Sequence, residues 1–232
     1  TYLFHGGLYD APTKEFRGFA KAKIYDADAN VAITEFHQDA QKKGRPFRTQ
    51  FVDAAGALWT QPDQTWGVAT PYPGVSFVTL DQTDATTTDG DATSKQTRAR
   101  FQYDAYGNLT RADEDGDVAV TGDERAATTT FLYNTSAWIL NKPSLTQTFD
   151  VSGAVVAQRR FIYDNNPDHL TPPPTRLLTK EEEWLNFPTE RLLGTSMTYD
   201  IYGNIETVTD ALNHTTTNIY DAATHTYLEV TT

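Results

Sequence analysis

"YDAYGNLT" stands at residues 103–110 and "YDIYGNIE" at residues 199–206. Tyr103 and Tyr199 favour extended backbone. Asp104 and Asp200 follow, and Gly107-Asn108 and Gly203-Asn204 come three residues later. Gly and Asn accept positive φ, and an Asp side chain bonds backbone N–H groups near it in sequence. Leu109 and Ile205 then alternate with Thr110 and Glu206. The phrase reads as strand, turn, strand: a β-hairpin. The approach strands agree, since "TRARFQYD" (97–104) places Ala99, Phe101 and Tyr103 on one face, and "TSMTYD" (195–200) leads into the second copy. A single carboxylate without a partner His or second acid is poor equipment for proton transfer. Tyr103, Asp104, Gly107, Asn108, Tyr199, Asp200, Gly203 and Asn204 are therefore assigned a structural role.

Weaker copies follow the same template. Residues 24–39 have Tyr25-Asp26 and Asn30, with Ala29 in the glycine place. Residues 51–60 have Asp53 and Gly56, residues 149–164 have Asp150 and Gly153, and residues 218–230 have Tyr220-Asp221 without the glycine. Their spacing is irregular, so the repeat is a hairpin with variable inserts and not a solenoid of fixed period. Thr-rich strands at 127–133 and 214–220 join the copies. The expected class is mainly β, with successive antiparallel hairpins forming a curved sheet over residues 1–232 and no clear internal boundary.

Composition supports this. Of 232 residues 38% are hydrophobic, below the roughly 45–50% usual for a globular domain, and Thr, Tyr, Phe, Asp and Asn fill the difference. There is no Cys, which excludes disulfides and thiolate metal sites. The net charge of −12 repels phosphate backbones and argues against a nucleic-acid partner. No apolar run approaches the roughly 20 residues that span a bilayer. The first residues lack the basic start and apolar stretch of a signal peptide. The chain opens and closes in strand residues, so it is expected to be a segment of something larger.

Tyr-Asp-x-x-Gly-Asn hairpins joined by Thr-rich strands resemble the YD repeats of RHS proteins. "FHGGLYDAPTKEFRGFAKAKIYD" (4–26), "FHQDAQKKGRPFRT" (36–49), "TSAWILNKPSLTQTFD" (135–150) and "YDIYGNIETVTDALNHTTTNIYD" (199–221) are similar to the shell of the insecticidal Tc toxin B component. The resemblance implies a β-ribbon that spirals into a hollow shell around a toxic or effector segment; in teneurins such a shell belongs to an adhesion receptor. An RHS core ending of the "RYYDP…GRF" type, with its aspartyl autoprotease, is not found after residue 200, and no protease residue is carried over. The resemblance implies a secreted or cell-surface bacterial virulence protein. Its partners would be the rest of the parent shell, the passenger and other toxin subunits. Open sheet edges add a route to self-association.

The remaining stretches divide as follows. Residues 61–74, rich in Pro and Gly, read as a loop, and 81–98 as an exposed loop or a solvated strand pair. Residues 165–178 contain three consecutive prolines and read as an extended loop. "LTKEEEWLNF" (178–187) reads as a helix capped by Thr179 or as a strand end. Phe101, Tyr103, Phe131, Tyr133, Phe161, Tyr163, Tyr199 and Tyr220 are the expected wall-packing aromatics. Asp113, Asp115 and Asp117 alternate around Gly116 like the start of a calcium loop, but Val118 and the missing closing Glu break that pattern; an acidic surface loop is the plainer account. His5, His37, His169, His214 and His225 form no ligand pair by spacing. The basic run 42–48 either anchors against acidic neighbours or is solvated. No catalytic residue, cofactor or metal is expected. The alternative is a cell-surface carbohydrate- or receptor-binding module of adhesion type, which needs Trp59, Trp66, Trp138 or Trp184 exposed. Isothermal titration with calcium is expected to give no heat; a binding isotherm overturns the acidic-loop account of residues 113–124.

Overall fold

The computed structural model describes residues 1–88, 93–185 and 191–232. Among these there is no helix. The strands are β1 (Tyr2–Asp10), β2 (Glu15–Tyr25), β3 (Val31–Phe36), β4 (Pro46–Val52), β5 (Leu58–Tyr72), β6 (Val75–Thr88), β7 (Ser94–Tyr103) and β8 (Leu109–Asp117). They continue as β9 (Arg125–Asn134), β10 (Ile139–Phe149), β11 (Val155–Tyr163), β12 (Leu178–Leu185), β13 (Arg191–Tyr199), β14 (Ile205–Thr209), β15 (Thr215–Tyr220) and β16 (Leu228–Thr231). The chain forms two compact units, residues 1–126 and 127–232. Within each, strand order is chain order and the registered pairs are antiparallel. This is the hairpin succession that the repeated phrase predicts.

Each unit is a single layer. Among the described residues few side chains are buried: Val31 in the first unit, and Leu132, Ile139, Ser144, Ile162, Tyr163, Pro173 and Thr179 in the second. The accessible surface is 14347 Å². A compact 26-kDa monomer exposes about 10,500 Å², and two separate compact 13-kDa domains expose about 12,700 Å² together. The excess means that the sheets lack a covering layer. Stability must come largely from cross-strand pairs and from the turns, because the described residues form no thick apolar core.

The polar pairing is ordered. Lys21, Glu35, Arg48, Asp63, Asp84 and Arg98 lie opposite one another in register across β2 to β7. Lys21–Glu35 is 2.8 Å, Arg48–Asp63 2.6 Å and Arg98–Asp84 2.7 Å. The two central acids face each other, but each is turned to its own arginine and receives a glutamine amide, Gln61 to Asp63 at 2.7 Å and Gln82 to Asp84 at 2.5 Å. Exposed pairs of this kind add roughly 0–1 kcal/mol each. Their main effect is on register, since a one-residue slip would move the whole row to the other face.

Several segments differ from the sequence expectation. Residues 61–74 are not a loop: they carry most of β5 and the turn at Pro73-Gly74. Pro62 stays in β5 opposite Ala85 of β6, and its missing N–H leaves a gap in the β4–β5 ladder between the pairs Phe51–Thr60 and Arg48–Asp63. Of the 81–98 readings, the strand pair β6–β7 is the one found, with 89–92 outside the described residues. Residues 178–185 are strand β12 and not a helix; 186–187 lie outside the described residues. Glu181 and Glu183 share Arg159 on β11, both at 3.3 Å, and the ladders to β11 and β13 outweigh the local helical preference of the Glu run. Thr179 caps no helix: its hydroxyl donates to the Ile162 carbonyl at 3.2 Å and accepts from Asn165 N–H at 2.9 Å. The triple-proline segment does lie between strands, with Pro173 fully buried. Tyr163 is 4% exposed, Phe101, Tyr103, Phe131, Phe161, Tyr199 and Tyr220 are half-buried, and Tyr133 is exposed while Leu132, pointing to the opposite face, is buried.

Replacing Arg98 by Glu would set three acids side by side in the row. Chemical denaturation should show a loss of about 1 kcal/mol, recovered in part by the swap Arg98→Glu with Asp84→Arg. An unchanged midpoint in the single variant would show that the row does not fix register.

Candidate functional site

The repeated turns share one hydrogen-bond pattern. In the turn at Asp104, the Asp N–H donates to the Asn108 carbonyl at 3.0 Å and Gly107 N–H donates to the Asp104 carbonyl at 3.2 Å. The Asp104 Oδ1 accepts from the N–H groups of Tyr106 (2.8 Å) and Asn108 (2.9 Å), and Oδ2 accepts from Asn108 Nδ2 at 2.8 Å. Asp200 repeats this with Tyr202, Gly203 and Asn204, its side-chain contacts all at 2.9 Å. The side chain thus satisfies N–H groups that a short loop would otherwise leave to water.

The weaker copies are the same turn with substitutions at one place. At Asp26 the side-chain bonds are intact, from the N–H groups of Asp28 and Asn30 and the Asn30 amide. At Asp53 the Trp59 indole N–H replaces the Asn amide, 3.0 Å from Oδ2. At Asp150 the Ser152 hydroxyl adds a bond of 2.6 Å. Asp221 closes a longer loop through Thr224, Thr226 and Tyr227. One copy escapes the sequence reading: Asp210-Ala-Leu-Asn213-His214, where His214 Nδ1 lies 3.0 Å from Asp210 Oδ2. Its signal is Asn213 in the glycine place, with φ of 66°. That fourth place is left-handed in Gly107, Gly203, Gly56, Gly153 and even Ala29, at 66°.

The tyrosine before the Asp has its own task. Tyr103, Tyr163, Tyr199 and Tyr220 donate their hydroxyls to carbonyls of the strand before: Leu80 (3.2 Å), Pro143 (3.0 Å), Leu178 (2.6 Å) and Ile205 (3.1 Å). Burial pushes the Tyr163 phenol up to about 12. The dipeptide therefore works in two directions, with Asp closing the hairpin ahead and Tyr fastening it to the strand behind. A bulge accompanies it: the register shifts at Tyr103, Phe149, Tyr199 and Tyr220, so strict alternation across the turn breaks by one residue. Neighbouring turns are also linked. Asn30 Oδ1 accepts from Ala54 N–H at 3.2 Å, Asn204 Nδ2 donates to the His225 carbonyl at 2.8 Å, and Tyr202 stacks on His225 with centroids 4.0 Å apart.

The other candidates are absorbed by the sheet. Asp113 and Asp115 lie within β8, and Asp117 ends it and opens the turn that follows, its Oδ1 accepting from Ala119 N–H at 3.0 Å. Asp113 pairs with Arg111 at 2.6 Å, Asp115 with Arg100 at 2.5 Å, and Asp117 faces Lys95 at 3.8 Å. Among the described residues no group of three or more His, Asp or Glu is placed to hold a metal ion. The basic run is anchored: Lys42 lies 3.8 Å from Asp39, Lys43 2.6 Å from Glu15, Arg48 2.6 Å from Asp63, and Arg45 sits over the Trp66 ring. His37 packs on Phe47, and burial followed by Lys42 holds its pKa below the usual value.

No protein-family model and no curated protein matches the chain. Solved structures do. The crystal structure of TcdB2-TccC3 superposes over 100% of this chain and 19% of that one, at TM-score 0.72 and 10% identity. The same complex without its hypervariable C-terminal region gives 0.70 over 96% of this chain and 18% of that one, again at 10% identity. The Photorhabdus luminescens Tc holotoxin pore gives 0.60 over 95% of this chain and 19% of that one, at 12% identity. The chain has an RHS/YD-shell-like fold. It spans about a fifth of the length of these chains. Among the described residues no helix is long and apolar enough to cross a membrane.

Two consequences of the turn geometry are measurable. Gly203 has open space around it, whereas a Cβ on Gly107 would lie 2.6 Å from Phe77 Cζ. Gly203→Ala should cost about 1 kcal/mol from left-handed strain alone, Gly107→Ala clearly more, and Ala29→Gly should gain up to about 1 kcal/mol, all read by denaturant titration. In acid the turn carboxyls act together. The Asn30 amide lowers Asp26, the Trp59 indole Asp53, the Ser152 hydroxyl Asp150, and backbone N–H groups of His214 and Tyr227 lower Asp210 and Asp221. At Asp200 partial burial pushes upward, but the Asn204 amide and the turn N–H groups outweigh it. A folded pKa below the unfolded value of about 3.9 stabilises the fold above that pH, and the contribution is lost as pH falls through the folded value. The melting temperature should therefore be level from neutrality to about pH 5 and fall below about pH 4, with a shallower acid limb in Asp200→Asn.

Proposed function

We propose that the chain is a non-catalytic wall segment of an RHS-type shell that encloses and protects a toxin or effector passenger. The protein would be secreted or surface-borne by a bacterium. Its partners would be the remainder of the shell, the passenger and other toxin-complex subunits. The observation that carries this reading is the use made of the turn aspartates. Each carboxylate accepts its own turn's N–H groups, so the most reactive repeated group is occupied in holding an uncovered single-layer sheet together. A wall of this kind acts by enclosure: it limits the volume open to the passenger and keeps proteases away from it. The likeness to TcdB2-TccC3 supports the architecture that this requires.

The test uses the parent protein with the passenger in place. Limited proteolysis should spare the passenger in the wild type and cleave it in an Asp104→Ala, Asp200→Ala variant whose turns are unlatched. Equal cleavage in both would sink the reading. So would hydrolysis of simple ester, peptide or glycoside substrates by the purified segment.

A further inference from the structure

Of the four tryptophans Trp138 alone is largely exposed, at 74%, but a larger unmet demand lies in the backbone. β1 and β16 each pair on one side only. Thr1 and Tyr25 exchange both backbone bonds, at 3.0 and 2.9 Å. In an antiparallel ladder such pairs alternate with pairs whose N–H and C=O groups turn away. Tyr2 and Phe4, in register with Ile24 and Ala22, therefore aim their backbone groups outward from the sheet. Gly6 is next by alternation, and its carbonyl already accepts from Gln38 Nε2 at 2.7 Å. The open part of β1 is thus residues 2–5. At the other edge Thr217 and Thr232 exchange both bonds, at 2.8 and 3.0 Å, so Thr231 aims outward in the same way. β16 is itself four residues long. Neither stretch contains the Lys or Pro that natural edge strands use against pairing.

The side chains agree with the backbone. Tyr2, Leu3 and Phe4 at one edge and Tyr227, Leu228 and Val230 at the other are exposed. Charge tells the two edges apart. Residues 2–25 carry four Lys and Arg against two Asp and Glu, whereas residues 205–231 carry four Asp and Glu and no Lys or Arg. Among the described residues neither Lys23, in register with Leu3, nor Glu229, on β16 itself, has an ion-pair partner. Joining β1 to β1 would set cations against cations, and β16 to β16 anions against anions; only β1 to β16 sets opposite charges together. We propose that the open edge of β1 pairs with the open edge of β16 of a second copy of this chain, so that copies add head to tail and extend the sheet. Such a contact leaves one edge free at each end, so growth does not stop at two. The joint is short, so assembly follows concentration. The inference does not depend on the wall reading, since the edges join whether or not anything is enclosed.

The test follows the purified 232-residue chain by sedimentation velocity over a rising concentration series. Wild type should pass from monomer to dimer and on to longer species, and raised salt should weaken the association. Tyr2→Pro and Thr231→Pro each remove one outward N–H and leave the neighbouring ladder whole. Each alone should stay monomeric, because one of its two edges is blocked. Mixed in equal amounts they should form a dimer and nothing larger, since each keeps the edge that the other lacks. Two charge variants test the same joint without touching the backbone. Lys23→Glu and Glu229→Lys should each weaken association roughly threefold or more, and the double variant should recover it. The proposal is overturned if wild type stays monomeric throughout, if either proline variant still associates with itself, if the folded mixture stays monomeric, or if the charge reversals leave association unchanged.

Discussion

A carboxylate that closes its own turn is the interaction on which both units depend. Within five residues the aspartate takes up two or three N–H groups and a side-chain donor, as at Asp26, Asp104 and Asp200. A hairpin so closed needs no core to keep its loop in place. That suits sheets of which only a small part is covered, where little apolar burial is available to offset the entropy of ordering the chain.

The turn alone would leave hairpins independent of one another. The tyrosine hydroxyls supply the connection backward, from Tyr103, Tyr163, Tyr199 and Tyr220 to the preceding strand. The asparagine amides supply it sideways, from turn to turn. Charge rows such as Lys21 to Arg98 then hold register over the strands between the turns. Each of these contacts is weak, local and repeated. A wall assembled from them tolerates inserts of varied length, which agrees with the irregular spacing of the copies.

The hairpins at 104–108 and 200–204 were legible because turn chemistry is local: Asp, Gly and Asn act within five residues. The copy at Asp210 was not, because Asn213 and His214 replace Gly and Asn while making the same bonds. The Glu run at 181–183 left a helix and a strand end open, because its helical preference is a local property and its Arg159 partner lies on another strand. The prolines of 61–74 misled because a strand paired along both sides can lose one ladder bond at Pro62 and continue, and that pairing lies outside the stretch itself.

Sequence by itself determined the class, the repeated turn and the residues that close it, because those bonds span a handful of positions. Tertiary structure alone decided the partners of the tyrosines, the bulges, the charge rows, and which of four tryptophans stands free. Each of those depends on register between strands, and register is a relation between distant parts of the chain that no single stretch contains.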